Sequence, residues 1–175
     1  AGARVGSRNQ LRVLAGHLWL ADLGTTGALA GGLVEVRHGS AQGARVRAGA
    51  FMGLEPNVYD MGYAPGVRKR GGYLAIESGY LRRHVVGLTQ VRQGSLVERS
   101  VLAVTNFVPA GSRFFAYQVG EFDITGPASG SAARGLSYFL SNVRVTAAPR
   151  LELLGTYNRG HSLDARSMTT DLLNG

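Results

Sequence analysis

Chemistry needs side chains that can attack, ligate or move a proton, and few candidates are spaced for it here. Glu121 and Asp123 stand two apart in YQVGEFDITGP, so on a strand both project from one face. Two close carboxylates can raise one another's pKa and do acid–base work. They can equally pair with arginines on neighbouring strands, and that is the favoured reading. The four histidines, His17, His38, His84 and His161, have no ligand-like spacing and read as turn or strand-end residues. His161 with Asp164 reads as local capping. There is no cysteine, which removes disulfide frameworks, iron–sulfur clusters, Cys-type zinc sites and thiol chemistry. The chain holds no G-x-S-x-G, G-x-x-x-x-G-K-[ST], H-E-x-x-H or G-x-G-x-x-G pattern. The expectation is a non-enzyme with no catalytic residue, no metal and no cofactor.

The formal net charge is +8, and Lys69 is the only lysine among 19 basic residues. The arginines are scattered from Arg4 to Arg166, with Arg68-Lys69-Arg70 the densest cluster. A surface that tracks phosphates gathers its charge on one face, often with aromatics to stack bases. No nucleic-acid motif accompanies the charge, so nucleic acid is not an expected partner. Arginine's bidentate fork suits confined carboxylate partners, which gives one reason for the bias; high genomic GC content gives another.

The elements that carry these residues read as strands almost throughout. In RVRAGAFMGLEP, Val46, Ala48, Ala50, Met52 and Leu54 share one side, and Arg45, Arg47, Gly49, Phe51, Gly53 and Glu55 the other. In GGYLAIESGYLRR, Leu74, Ile76 and Tyr80 oppose Tyr73, Ala75, Glu77 and Gly79. Arg82-Arg83-His84, Gln93-Gly94-Ser95 and Pro109-Ala110-Gly111-Ser112 read as turns, and Ala147-Ala148-Pro149 as a hairpin. NQLRVLAGHLWLADL and ALAGGLVEVRH supply two further strands. The longest loops fall at 56–71 and 126–135, and SLDARSMTTDLLNG carries a C-terminal helix signal. Residues 14–34 make a poor transmembrane helix, because His17, Asp22 and five glycines interrupt them.

Most of the strands run 9 to 13 residues. Strands of soluble domains usually have about 5–6 residues, whereas a tilted bilayer-spanning strand needs about 9–11. The fold class expected is therefore all-β: an antiparallel meander of about 8–9 long strands that forms, or belongs to, a transmembrane β-barrel. One domain over 1–175 is expected, complete or a segment of a longer chain. Arg45, Arg47, Glu55, Glu77, Glu121 and Asp123 are the lumen-lining candidates. An arginine facing a wet lumen would be lost at little cost. Trp19, Tyr73, Tyr80 and Tyr157 are the interfacial aromatic candidates, with core packing as the alternative. The alternation is unclean in VERSVLAVTNFV and FFAYQVGEFDI, which calls for charges outside the apolar band or for a bulge.

The segments VRQGSLVERS, YQVGEFDITGP and YNRGHSLDAR carry a resemblance to uncharacterised outer-membrane β-barrel proteins of high-GC Gram-negative bacteria. It spans roughly the last two-thirds of the chain. It implies a porin-like or structural barrel in the outer membrane, with lipid or detergent, other subunits or the rest of a longer barrel as partners. It carries over no catalytic residue. The alternative is a soluble periplasmic or extracellular all-β binding module that uses the loops at 56–71 and 126–135.

Overall fold

Alternating apolar and polar residues, rich in Val, Leu, Tyr and Thr, favour pleated strands with two distinct faces. A computed structural model describes residues 2–5, 10–40, 43–57, 62–79, 81–125 and 135–160. Ten strands form one antiparallel sheet: β1 (Gly2–Val5), β2 (Leu11–Trp19), β3 (Ala28–Gly39), β4 (Ala44–Asn57), β5 (Gly62–Ser78), β6 (Arg82–Gln93), β7 (Leu96–Ala110), β8 (Phe114–Thr125), β9 (Gly135–Ala148) and β10 (Leu151–Gly160). Their spatial order is their sequence order, so the sheet is a simple meander. It is not closed: β1 pairs only with β2, and β10 only with β9. Among the described residues there is no α-helix.

Several sequence expectations need correction. The all-β antiparallel meander is as expected, with the four-residue β1 bringing the strands to ten against about eight or nine. The stretch 56–71 is no long loop, because β4 runs to Asn57 and β5 begins at Gly62. Tyr63, Val67 and Lys69 continue the pleat there, and the Pro-Gly content that suggested a loop is absorbed by an irregularity between Leu54 and Pro56. Arg82-Arg83-His84 opens β6 and forms no turn; the chain reverses one step earlier, where Gly79 has φ 60°. The strand expected through Leu23 stops at Trp19. The loop at 126–134, the C-terminal helix signal and Tyr80 lie outside the described residues.

What replaces the end of that strand organises the interior. Ala21–Gly27 forms an irregular 3₁₀ stretch that links β2 to β3. It folds inward and not along the rim, and it reaches β6, β7 and β8 across the sheet. The Thr105 hydroxyl donates to the Asp22 carbonyl at 2.9 Å, although the two lie 83 residues apart. Such a contact requires the sheet to curl around the segment. Leu23, at 0% exposure, caps a core of Leu18, Leu20, Leu29, Leu33, Phe51, Tyr73, Ala75 and Val85.

One inward row shows how the sequence makes room for this filling. Glu35, Gly49, Tyr73, Gly87, Ala103 and Glu121 stand side by side on β3 to β8. Tyr73 thus has a glycine on each side. Its ring lies over Gly49, where an added Cβ would sit 2.6 Å from the ring's Cζ. A Cβ on Gly87 would overlap the end of Leu23. Glycine in a strand interior often marks such a close approach. Gly49→Ala is expected to displace the Tyr73 ring and cost about 1–3 kcal/mol by overpacking, measured by denaturant unfolding.

Candidate functional site: a charged interior behind an apolar outer face

The inner face carries the charges. Arg45, Arg47 and Glu55 sit at inward positions of β4, Glu77 on β5, and Glu121 and Asp123 on β8. Arg47, Glu121 and Asp123 are buried, and the other three half-buried. The fold brings these six lumen-lining candidates to two places, Arg45, Arg47 and Glu77 to one and the rest to the other.

The first centres on Arg47. Its guanidinium reaches Glu35 Oε2 and Asp22 Oδ2, each at 2.8 Å, and its Nε lies 2.9 Å from Glu77 Oε1. Arg45 pairs with the other oxygen of Glu77. Glu35, wholly buried, also accepts from Arg37 at 2.6 Å and from the Tyr73 hydroxyl. Arg83 Nη1 lies 3.0 Å from Asp22 Oδ1. Arg12 is the outlier, with its nearest carboxylate, Glu35, at 4.0 Å. The strands fix this arrangement through pairing: Arg12 stands opposite Glu35, Arg37 opposite Arg47, and Arg45 opposite Glu77. A bidentate fork can bridge two carboxylates at once, which a lysine ammonium does less well.

The second place holds Lys69, Glu55, Arg99 and Asp123. Lys69 Nζ lies 2.5 Å from Glu55 Oε2 and donates to the carbonyls of Thr26 and Ala28 at 3.0 and 2.9 Å. It therefore ties the inner segment to the wall. Arg99 Nε donates to Asp123 Oδ1 at 2.5 Å, and its Nη2 to the Ser137 hydroxyl at 3.1 Å. Asp123 thus pairs with an arginine of the neighbouring strand, as the pairing reading expects of it. The unclean alternation resolves here too. Val91 opposes Arg99 and Arg92 opposes Val97, so Glu98 is the extra residue of a bulge, and Arg99 stays inward. Lys69→Met should free Ala21–Gly27 without unfolding the sheet. Losing one charge-assisted set of bonds costs about 1.5–3 kcal/mol, and hydrogen exchange should rise in that segment while β6 amides keep their protection.

The outer face is the reverse. Val36, Ala48, Leu74, Val86 and Val104 form one outward row across β3 to β7. Val34, Ala50, Gly72, Leu88, Leu102 and Phe122 form the next, across β3 to β8. Neither row contains a charge. Met52, Ile76, Val34 and Leu88 are 66%, 49%, 50% and 49% exposed, against 0% for Glu35 and 2% for Lys69. Beyond these rows lie Arg70, Gln90 and Ser100 toward one rim, and His84, Asn106 and Gln118 toward the other.

The aromatic candidates divide. Trp19 and Tyr157 are exposed, and the Tyr157 ring lies 6.1 Å from that of Phe139. Tyr73 is not at an interface: it is buried, hydrogen-bonded to Glu35, with Arg47 stacked 5.9 Å from its ring centroid. Its inward parity was readable beside Ala75 and Glu77, and the girdle expectation overlooked it. Glu35 and Arg37 were likewise legible, since they share a face with Leu29 and Leu33 in ALAGGLVEVRH. Asp22, Arg83 and Lys69 were missed because only the inward fold of 21–27 gives them their roles. Among the described residues, no group of three His, Asp or Glu is placed to hold a metal. No helix there is long and apolar enough to cross a membrane, which does not bear on crossing by strands. No protein-family model, curated protein or solved structure matches this chain.

Proposed function

We propose that this chain is the wall of a non-enzymatic outer-membrane β-barrel of a Gram-negative bacterium, acting as an anchor or structural protein with a filled interior. One observation carries the reading: the middle rows of the outer face are apolar and uncharged, while buried ion pairs share the interior with a small apolar core. Soluble proteins bury their aliphatic residues and leave Lys, Arg, Glu and Asp in water. Barrels in lipid reverse that order, with apolar residues outward and polar ones inward along every strand.

The dimensions support it. From Val46 to Leu54 the outward positions of β4 are apolar throughout, a run of about 27 Å at ~3.4 Å per residue. With strands tilted by ~35–45°, that spans about 20 Å along the normal, close to the ~25 Å apolar band of such barrels. The inner segment at 21–27 and its ion pairs favour a wall over an open pore. Each carboxylate of the Arg47 network is held by at least one guanidinium, which favours a structural role for them over acid–base chemistry.

The test is the medium in which the protein folds. The full chain, refolded from denaturant, is expected to need dodecyl maltoside or phosphatidylcholine vesicles. There it should show a β-type circular dichroism spectrum and heat-modifiable gel mobility. A monodisperse monomer with that spectrum in plain buffer overturns the proposal.

A further inference from the structure

Beside the Arg47 network lies an open cavity of about 500 Å³, within the range of about 300–1,000 Å³ common for small-ligand sites. Its wall is unevenly charged. Arg12, Arg37, Arg45, Arg47 and Arg83 meet only Asp22, Glu35 and Glu77, an excess of two positive charges. The excess is also unspent. Among the described residues Arg12 has no hydrogen-bond partner, and its Nε is buried. Arg83 holds Asp22 through one nitrogen alone. A buried donor left unpaired is costly, and an acceptor entering the cavity would satisfy Arg12 Nε and the free nitrogens of Arg83 together. Leu14, Leu18 and Trp19 add apolar surface to the same lining.

We infer that this cavity is a binding site for a phosphate group, with Arg12 and Arg83 as its principal donors. A phosphate monoester carries about −1.5 to −2 at neutral pH, which matches the excess, and its oxygens accept the paired donors of a guanidinium fork. A single carboxylate would neutralise only half of it. The phosphate can belong to a free anion or to a lipid headgroup; the recognition chemistry is the same. The site depends on the inward fold of 21–27 and on the pairing of β2 with β3, and does not depend on where in the cell the barrel resides.

Trp19 is the only tryptophan and lines the cavity, so its fluorescence reports occupancy. The folded chain in dodecyl maltoside is titrated with inorganic phosphate and with pyrophosphate. In parallel, it is placed in nanodiscs of phosphatidylcholine with and without phosphatidic acid. A saturable change with either soluble anion assigns a free phosphate, and a change confined to the phosphatidic acid discs assigns a headgroup. In both cases Arg12→Gln should weaken the response by about tenfold or more, the loss of one charge-assisted bond. Arg12 lies at the weak end of the network, so the variant is expected to fold, as heat-modifiable mobility would verify. Arg70→Gln, on the outer face, should leave binding unchanged. No saturable change in any medium, or an equal response from Arg12→Gln, overturns the inference. Either result can occur with the membrane test passed, so the two claims fail separately.

Discussion

Replacing Ala50 by arginine is expected to stop this protein from folding into lipid. Ala50 is the middle of the five outward positions of β4, between Val34 on β3 and Gly72 on β5. It is exposed, so an arginine there meets no steric obstacle within the protein. In water such a change on a strand surface is nearly neutral. At the midplane of a bilayer an arginine on the lipid face costs about 2–4 kcal/mol, falling to about 0–1 near the interfaces. The folded fraction in phosphatidylcholine vesicles, read by heat-modifiable mobility, should therefore fall sharply for Ala50→Arg. It should stay near wild type for Ala50→Leu, which keeps the position apolar. An arginine at position 50 that inserts like wild type would place β4 outside the hydrocarbon.

The largest interior effect is expected at Arg47. Arg47→Ala removes the group that holds Asp22, Glu35 and Glu77 together, in a place where Glu35 has no access to water. Arg37, Arg83 and Arg45 still face one carboxylate each, so the loss is that of several charge-assisted bonds at once, about 1.5–3 kcal/mol for each that was buried. This reverses the sequence-based expectation of a small effect, which assumed a wet lumen; Arg47 is instead buried against three carboxylates. Arg47→Lys keeps the charge but cannot bridge three carboxylates, so an intermediate loss is expected. Denaturant unfolding in detergent micelles gives the ranking wild type, Arg47→Lys, Arg47→Ala. Equal stability of all three would mean that the network contributes nothing.

The wall of this fold was legible because period two writes both faces of a strand into the sequence. RVRAGAFMGLEP needs no partner to show that Ala50 and Arg47 point opposite ways, and the turns at Gly94 and Gly111 announce themselves through glycines with φ 58° and 61°. The filling was not legible. ADLGTTG has the composition of a turn, and nothing local tells a turn at the rim from one that folds inward. That choice is made by distant partners: Thr105 and Lys69 hold its carbonyls, and Gly87 gives Leu23 its seat. The roles of Asp22 and Arg83 follow from the same tertiary decision. The stretch 56–71 failed for the opposite reason, since ladder pairing overrode turn-forming residues.

The apolar face is expected to meet lipid, and the absence of cysteine from the chain allows a direct measurement of that contact. Single cysteines placed one at a time from position 46 to 54 are labelled with an environment-sensitive fluorophore. Each labelled chain is then refolded into vesicles containing brominated phosphatidylcholine. Bromine is expected to quench labels at 46, 48, 50, 52 and 54, most strongly at 50, and to spare those at 47, 49, 51 and 53. Uniformly weak quenching along β4, or quenching without a period of two, would contradict it.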